Sequence, residues 1–200
     1  MNSEDLKFWK SPKSYPDHWQ AYCKSFAEKG EVSYLVFDCE TTGLEPKKDV
    51  ILSIGGVFVQ SNRIPTKKSF EFYLKQDYFD ENSVKIHGIV QESSEVNYLS
   101  EEEAIKQFLS RVRNSILVGH HVSFDLQMIN QALNRLQLPS LKNKSIDTNS
   151  LYRKKHQLPT DMQYSLDELC EKFGLQTKAR HSALGDAYLT ALVFLKLKSL

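Results

Sequence analysis

The segment Val32–Leu44, with the sequence VSYLVFDCETTGL, contains the transition that decides the fold. Its first six residues are largely apolar and rich in residues that favour β-structure, which predicts a central strand at 32–37. The polar run Thr41-Thr42-Gly43 follows closely and predicts that the chain turns there. We therefore expect a buried strand whose carboxyl end opens into a polar loop.

Two carboxylates stand at the end of this strand, Asp38 and Glu40, with Cys39 between them. Because strand side chains alternate between faces, Asp38 and Glu40 point the same way and Cys39 points the other way. Like charges at this spacing repel, and each raises the pKa of the other carboxyl. A divalent cation such as Mg²⁺ or Mn²⁺ relieves this repulsion and prefers oxygen ligands. An isolated pair of this kind is more often two solvated carboxylates at a sheet edge, but its place after a β-forming run favours a metal site.

The remaining apolar patterns predict a three-strand meander followed by alternating helices and short strands. This order is typical of an α/β fold, here a mixed five-stranded sheet flanked by helices. We expect residues 1–30 to form an N-terminal helical extension whose helix ends at Gly30, and residues 31–200 to form one domain. The predicted strands are 32–37, 49–60, 63–74, 115–118 and 145–147, and the predicted helices are 17–29, 101–114, 123–136, 148–156, 165–173 and 182–200.

The composition excludes several classes of protein. With 40% hydrophobic and 26% charged residues, the 200-residue chain resembles a soluble globular domain and not a disordered or fibrous one. No apolar run approaches the roughly 18 residues of a membrane span, and no signal peptide is visible. Cys23, Cys39 and Cys170 lack paired metal spacing, which indicates buried thiols in a reducing compartment, so we expect a cytoplasmic protein. The net charge of +1 neither supports nor excludes a nucleic-acid partner.

Two further motifs carry acidic residues at the starts of predicted helices. Asp125 lies in the first turn after a short buried strand, with Ser123 as the expected N-cap. Asp186 follows His181 by five residues, so the two do not share a helical face and His181 lies on the loop before the helix. Each motif alone is more often a capping or surface feature. Histidine is, however, the side chain best suited to take a proton from water near neutral pH.

Together and in this order, the motifs resemble those of the DEDDh 3′–5′ exonucleases, which have the RNase H-like fold and include the proofreading epsilon subunit of bacterial DNA polymerase III. The resemblance covers residues 32–197. The tyrosine branch of this superfamily would have tyrosine in place of Ser182, so the histidine branch is the better match. The segments that carry the resemblance are DCETTGL at 38–44, IHGI at 86–89, HHVSFD at 120–125, SLDELC at 165–170 and HSALGDA at 181–187.

The resemblance implies hydrolysis by a mechanism that uses two metal ions, Mg²⁺ or Mn²⁺. Asp38, Glu40 and Asp186 would bind one ion, and Asp38 would also bind a second ion together with Asp125. His181 would take the proton from the attacking water. Each turnover would release a nucleoside 5′-monophosphate, so all five residues are candidate catalytic residues.

The resemblance also implies a pocket for the terminal nucleotide. Its threonine–glycine turn would contact the terminal sugar, the leucine after it would wedge between the last two bases, and a histidine and a phenylalanine would flank the terminal base. Such stacking accepts any base. Phe124 is equally often a core aromatic, and the family's usual asparagine is His121 here, a change expected to alter a phosphate or sugar contact. The pocket residues are Thr41, Thr42, Gly43, Leu44, His87 and Phe124.

Several alternatives stay open. The motifs do not separate DNA from RNA, because the chemistry is the same at both. We expect the 3′ ends of DNA as substrate, with a role in DNA repair, and the alternative is a 3′–5′ exoribonuclease that trims RNA. A catalytically inactive nucleic-acid-binding module is disfavoured because all five catalytic positions are filled. Trp9 and Trp19 in the extension are candidates either for binding a protein partner or for packing on the domain's own core. Because the last predicted helix ends at Leu200, we expect a protein partner to use the extension.

Overall fold

The computed structural model describes residues 15–76, 97–177 and 180–200, which form a six-stranded mixed sheet with helices packed against it. The predicted α/β class and mixed sheet are confirmed. The strands are β1 (Tyr34–Thr41), β2 (Ile51–Val59), β3 (Phe70–Leu74), β4 (Tyr98–Leu99), β5 (Ile116–Gly119) and β6 (Ser145–Asp147). The helices are α1 (Asp17–Ser25), α2 (Glu101–Val112), α3 (Ser123–Arg135), α4 (Thr148–Lys155), α5 (Leu166–Lys172) and α6 (Ala183–Ser199).

The strands lie in the order β4-β3-β2-β1-β5-β6. β1, β2 and β3 form the predicted antiparallel meander. β5 pairs in parallel with β1, β6 pairs in parallel with β5, and β4 pairs in parallel with β3. The predicted count of five strands was wrong. β4 has only two residues, too few to show the alternation by which a strand is recognised in a sequence.

The two faces of β1 pack against different helices. Leu35, Phe37 and Cys39 belong to the larger core, which the sheet shares with α1, α2 and α3. Val36 faces the other way, into a core that includes Phe194 of α6. Because strand side chains alternate, the two carboxylates that follow Phe37 also lie on the α6 side.

A close contact between α6 and β2 sets the position of this helix. Gly55 of β2 pairs with Asp38 of β1. A Cβ on Gly55 would lie 2.1 Å from the backbone nitrogen of Leu184 and 2.4 Å from the carbonyl oxygen of Ala183. Only glycine leaves room for the helix backbone at this point. The first turn of α6 therefore lies over β2, beside Asp38.

α1 is shorter than predicted, because it ends at Ser25 with Phe26 as its C-cap and does not reach Gly30. Its buried face ends at Ser25, and an exposed continuation would have no packing to stabilise it. Trp19 is only 2% exposed and packs in the larger core, so this residue serves the core and not a partner. Trp9 lies outside the described residues, and the domain boundary at residue 30 stays a prediction.

β3 begins at Phe70, so the predicted strand 63–74 was too long. The polar turn Ser61-Asn62 is present, and both of its residues have positive φ. The chain then forms a 3₁₀ turn at Thr66–Lys68 after Pro65. Proline has no N–H to donate to a strand ladder, and the 3₁₀ turn occupies residues 66–68, so β3 begins only after this turn.

In the described parts of the chain, no helix combines the length and the apolar character needed to cross a membrane. Cys23, Cys39 and Cys170 are free thiols. Cys39 and Cys170 are buried as predicted, whereas Cys23 is half-buried.

Candidate active site

The acidic cluster comprises three carboxylates from β1 and α6. One oxygen atom of each of Asp38, Glu40 and Asp186 lies within 4.8 Å of the other two. Asp38 and Glu40 share a face of β1 because strand side chains alternate. Asp186 reaches them because the first turn of α6 lies over Gly55. Three of the four predicted metal ligands are thus brought together, and a set of carboxylate oxygens suits a hard divalent cation.

Asp125, the fourth predicted ligand, lies beside this cluster in the first turn of α3 and is 4% exposed. Its Oδ1 accepts a hydrogen bond of 3.0 Å from the backbone N–H of Cys39. The pairing of β1 with β5 ends at Val36 and Val118. The backbone N–H of Cys39 therefore has no partner on β5, and the Asp125 carboxylate accepts its hydrogen bond instead. Asp125 is therefore tied to the strand segment between Asp38 and Glu40.

The predicted N-cap of α3 was wrong. Val122, and not Ser123, precedes the helix as its N-cap residue. The backbone N–H of Val122 donates to Oδ2 of Asp147 at 3.1 Å. A side chain from the end of β6 thus bonds at the start of α3, a contact between distant segments that no local pattern predicts.

Burial and mutual repulsion make the cluster difficult to ionise. Burial raises the pKa of Asp38 well above its usual range, and the charges of Asp125, Asp186 and Glu40 raise it further. Burial also raises the pKa of Glu40 to about 7, with the charge of Asp186 as the next cause. Burial raises the pKa of Asp125 to about 7 despite its backbone hydrogen bonds. A bound cation would relieve this cost by favouring the charged forms.

Asp186 has one oxygen atom that the described part of the chain leaves without a partner. Its Oδ1 is buried and has no hydrogen-bond partner among the described residues. Buried carboxylate oxygens are ordinarily satisfied, because desolvation without a partner is costly. The residues present therefore fit a divalent cation, which would bind the unsatisfied oxygen.

Arg180 is a site residue that the sequence interpretation missed. Its Nη1 lies 2.5 Å from Oδ2 of Asp186, and its Nε lies 2.9 Å from Oδ1 of Asp167 on α5. The positive charge lowers the pKa of Asp38, Glu40 and Asp186 against the effect of burial. In the sequence, the only indication of this role was the position of Arg180 next to His181. A single basic residue beside predicted metal ligands does not form a recognisable sequence motif.

His181 lies on the loop immediately before α6, as predicted, because the helix begins at Ala183 with Ser182 as its N-cap. Its backbone has a φ of 68°, in the left-handed region that side chains other than glycine rarely adopt. The imidazole is exposed. Burial raises the pKa of Asp186, and His181 is among the groups that oppose this rise, so His181 is a neighbour of the acidic cluster.

The loop after β1 is held in shape by Asp49, a second residue that the sequence interpretation missed. Oγ1 of Thr42 donates to Oδ1 of Asp49 at 2.9 Å and accepts from the backbone N–H of Val50 at 3.1 Å. Oδ2 of Asp49 accepts from the backbone N–H of Glu45 at 2.7 Å. A Cβ on Gly43 would lie 2.5 Å from the Asp49 carboxylate, so a side chain there would displace the group that holds the loop.

The other predicted pocket residues have different environments. Leu44 follows the loop and is 82% exposed, an unusual position for a large apolar side chain. Thr41 donates from Oγ1 to the carbonyl oxygen of Gly43 at 2.7 Å. Phe124 is partly buried and packs against the larger core, which agrees with the alternative that it is a core aromatic. His87 lies outside the described residues.

The histidine pair before α3 has one structural and one exposed member. His120 bonds through Nε2 to the carbonyl oxygen of Tyr164 and through Nδ1 to Oγ1 of Thr148, both at 2.9 Å. A carbonyl only accepts, so Nε2 carries the proton and Nδ1 accepts. Burial lowers the pKa of His120 to about 4, with His121 as the next cause, so the ring is neutral near pH 7. His121 is exposed and has a φ of 57°.

Comparison with known sequences identifies relatives of this chain. The RNase_T exonuclease family matches residues 35–194. The chain is 35% identical over 168 residues to the PolC-type DNA polymerase III of Thermotoga maritima, which covers 84% of this chain and 12% of that protein. It is 33% identical over 165 residues to the DNA polymerase III epsilon subunit of Aquifex aeolicus, which covers 82% of this chain and 80% of that subunit. The chain therefore spans a small part of the PolC-type protein and most of the epsilon subunit.

Comparison with solved structures agrees with the fold. The zinc-bound complex of E. coli exonuclease I with single-stranded DNA has a TM-score of 0.74 to this chain at 20% sequence identity. The match covers 85% of this chain and 41% of exonuclease I. It confirms that the six-stranded sheet and its flanking helices form an RNase H-like exonuclease fold.

Proposed function

The chain belongs to the RNase_T exonuclease family, the DEDD-type 3′–5′ exonucleases of RNase H-like fold, and from this membership we propose that it removes nucleotides from the 3′ end of DNA. The observation that carries the proposal is the cluster of Asp38, Glu40 and Asp186, whose oxygens lie within 4.8 Å of one another. Three carboxylates this close together, one buried and two half-buried, are costly without a cation. Their close grouping in a chain of this family supports a hydrolytic centre.

We propose that Asp38, Glu40 and Asp186 hold one Mg²⁺ or Mn²⁺ ion and that Asp38 and Asp125 hold a second. Support comes from the unsatisfied Oδ1 of Asp186 and from the position of Asp125 against the backbone of Cys39. Divalent cations of this kind supply charge stabilisation for a phosphodiester and make water easier to deprotonate. Arg180 pairs with both Asp186 and Asp167, so its positive charge would partly balance the carboxylates that hold the ions.

His181 is proposed as the general base. Its imidazole is exposed at the edge of the acidic cluster, where water can reach it. Histidine accepts a proton near neutral pH, and removal of a proton from water creates the nucleophile for the phosphodiester. Attack at the phosphorus of the terminal linkage breaks the bond to the 3′ oxygen of the preceding nucleotide. The product is a nucleoside 5′-monophosphate, and the shortened strand keeps a 3′ hydroxyl.

The loop after β1 is proposed to bind the terminal nucleotide. Asp49 holds Thr42 and the backbone around Gly43 in place, which presents Leu44 to solvent next to the site. An exposed leucine there can pack between bases without reading their sequence. We favour DNA over RNA because the similar proteins named above are DNA polymerase components and a single-stranded DNA complex. We also propose a cytoplasmic role in DNA replication or repair.

A degradation assay tests this proposal. Wild type is incubated with 5′-labelled single-stranded DNA, duplex DNA and RNA of one sequence, with Mg²⁺ or Mn²⁺ and with chelator. We expect a ladder that shortens from the 3′ end of DNA, and release of mononucleotides that chelator stops. Asp38→Asn and His181→Ala should lose this activity, whereas Asp161→Asn, which alters an exposed carboxylate outside the cluster, should retain it.

Three results would contradict the proposal. Absence of mononucleotides from every substrate would exclude exonuclease activity. Degradation of RNA in preference to DNA would transfer the proposal to RNA ends. Full activity of Asp38→Asn would show that the acidic cluster is not the hydrolytic centre.

A further inference from the structure

Glu71 is a charged, half-buried residue of β3 that pairs with Gly55 of β2. In β3 the side chains of Phe70, Phe72 and Leu74 face the larger core. Because side chains alternate, Glu71 and Tyr73 lie on the opposite face, the one that α6 covers. A half-buried glutamate packed beside a helix is expected to have hydrogen-bond partners for its oxygens.

Both oxygens of Glu71 have partners. Oε1 accepts a hydrogen bond of 3.0 Å from the backbone N–H of Leu184, a residue 113 positions away in the sequence. Oε2 accepts a hydrogen bond of 2.9 Å from the hydroxyl of Tyr73. Tyr73 therefore orients the carboxylate, and the carboxylate connects the edge of the meander to the last helix.

The contact falls on the first turn of α6. Leu184 is the second residue of this helix, and its N–H is one of those that have no partner within a helix. The next N–H, that of Gly185, donates to Oγ of Ser182 at 3.1 Å. Glu71 thus complements the local cap, and its negative charge is favourable at the N-terminus of a helix.

The same turn carries the residues of the proposed centre. Asp186 lies two residues after Leu184, and His181 lies three residues before it. Gly55 pairs with Asp38 on one side and with Glu71 on the other, so the three residues form a row across β1, β2 and β3. The start of α6 therefore rests on Gly55 and is held from the side by Glu71.

We propose that Glu71, oriented by Tyr73, is a positioning residue that fixes Asp186 and His181 relative to Asp38. The inference rests on the proposed exonuclease function, because its consequence is catalytic geometry. Loss of the carboxylate would release the first turn of α6 from β3. A displacement of about 1 Å in such a site lowers the rate by about 100-fold.

The test compares Glu71→Ala, Glu71→Gln and Tyr73→Phe with Ser100→Ala. Ser100 is a matched control, because its hydroxyl accepts from the backbone N–H of Glu103 and caps α2, which carries no residue of the centre. The measurements are kcat and KM for single-stranded DNA well below the melting temperature, the melting temperature itself, and amide hydrogen exchange at Leu184.

Glu71→Ala is expected to lower kcat by about 10- to 100-fold with little change in KM, and to accelerate exchange at Leu184. Glu71→Gln keeps an oxygen acceptor and should recover most of kcat. Tyr73→Phe should give an intermediate loss. Ser100→Ala should lower the melting temperature without reducing kcat or exposing the Leu184 amide.

The inference is wrong if Glu71→Ala keeps the wild-type kcat, or if kcat follows the melting temperature equally in Glu71→Ala and Ser100→Ala. Should Glu71→Ala fail to fold, a wild-type kcat together with slow Leu184 exchange in Tyr73→Phe would equally overturn it. If wild type is inactive, the proposed function is refuted and kcat cannot test the role of Glu71. Amide exchange still can, because slow exchange at Leu184 in Glu71→Ala would refute the link between Glu71 and α6.

Discussion

Replacing Gly55 with alanine should displace the start of α6 and impair both stability and catalysis. An ideal Cβ at this position lies 2.1 Å from the backbone nitrogen of Leu184 and 2.2 Å from the carbonyl carbon of Ala183. Ordinary contacts begin at 3.4 Å, so the two backbones must separate by more than 1 Å. Neither contact involves a flexible side chain that could rotate away. The shift therefore carries the first turn of α6, including Asp186, away from Asp38.

The size of the effect follows from this geometry. Overpacking a well-packed interior costs about 1–3 kcal/mol. At about 2–4 °C per kcal/mol for a chain of this length, the melting temperature should fall by about 2–12 °C. A displacement of about 1 Å between catalytic groups should lower kcat by about 100-fold.

Two glycines provide matched controls for this substitution. Gly56→Ala places its Cβ 2.4 Å from the ring of Phe70, on the other face of the sheet, so it should lower the melting temperature but largely preserve kcat. Gly30→Ala meets nothing within 4 Å and should change neither property. The assay is mononucleotide release from single-stranded DNA, with kcat measured well below each melting temperature. A Gly55→Ala variant with wild-type kcat, or a Gly56→Ala variant with an equal loss, would refute the reasoning.

Three further predictions concern the charges and the loop of the site. Burial raises the pKa of Glu40 from 4.5 to about 7. Stability linked to its neutral form is therefore present below pH 4.5 and lost as the pH rises through about 7. In thermal melts without metal, the melting temperature of wild type should fall more than that of Glu40→Gln as the pH rises over this range. Mn²⁺ should remove the difference. If the melting temperatures of the two proteins change equally with pH, the pKa shift is contradicted. Arg180→Gln should lower the free energy of unfolding of the metal-free protein by about 1–3 kcal/mol in denaturant titrations. Mn²⁺ should restore most of this loss, because its charge replaces that of the guanidinium. An unchanged free energy of unfolding would mean that the ion pair with Asp186 contributes nothing. Leu44→Ala should leave the melting temperature unchanged but lower kcat/KM on single-stranded DNA about fivefold or more; an unchanged kcat/KM would exclude contact with the bases.

Local patterns predicted much of the sheet and of its carboxylate face. The apolar run before Asp38 identified β1, and strand alternation placed Asp38 and Glu40 together, because both effects depend on neighbouring residues only. The same reasoning was wrong for β4, which is too short to show a pattern. It was also wrong for α3, where Val122 donates to Asp147 and Ser123 is not the cap.

Contacts between distant segments could not be predicted in this way. Arg180 pairs with Asp167 and Asp186, and its role depends on where α5 and α6 lie. Asp49 holds the loop after β1 through hydrogen bonds that its sequence position does not indicate. Such contacts appear only once the helices and loops have packed, since a side chain's partners are set by the fold and not by its neighbours in the chain.

The sequence by itself determined the α/β class, the order of the elements, and the residue types that a metal-dependent exonuclease needs, because periodicity and motif order are properties of the linear chain. Only the tertiary structure decided that Asp186 meets Asp38 and Glu40. That meeting depends on the absence of a side chain at Gly55, which lets α6 lie against β2, and on Glu71, which bonds to the backbone of its first turn. Close packing between backbones set the position of the last carboxylate, and no spacing in the sequence expresses it.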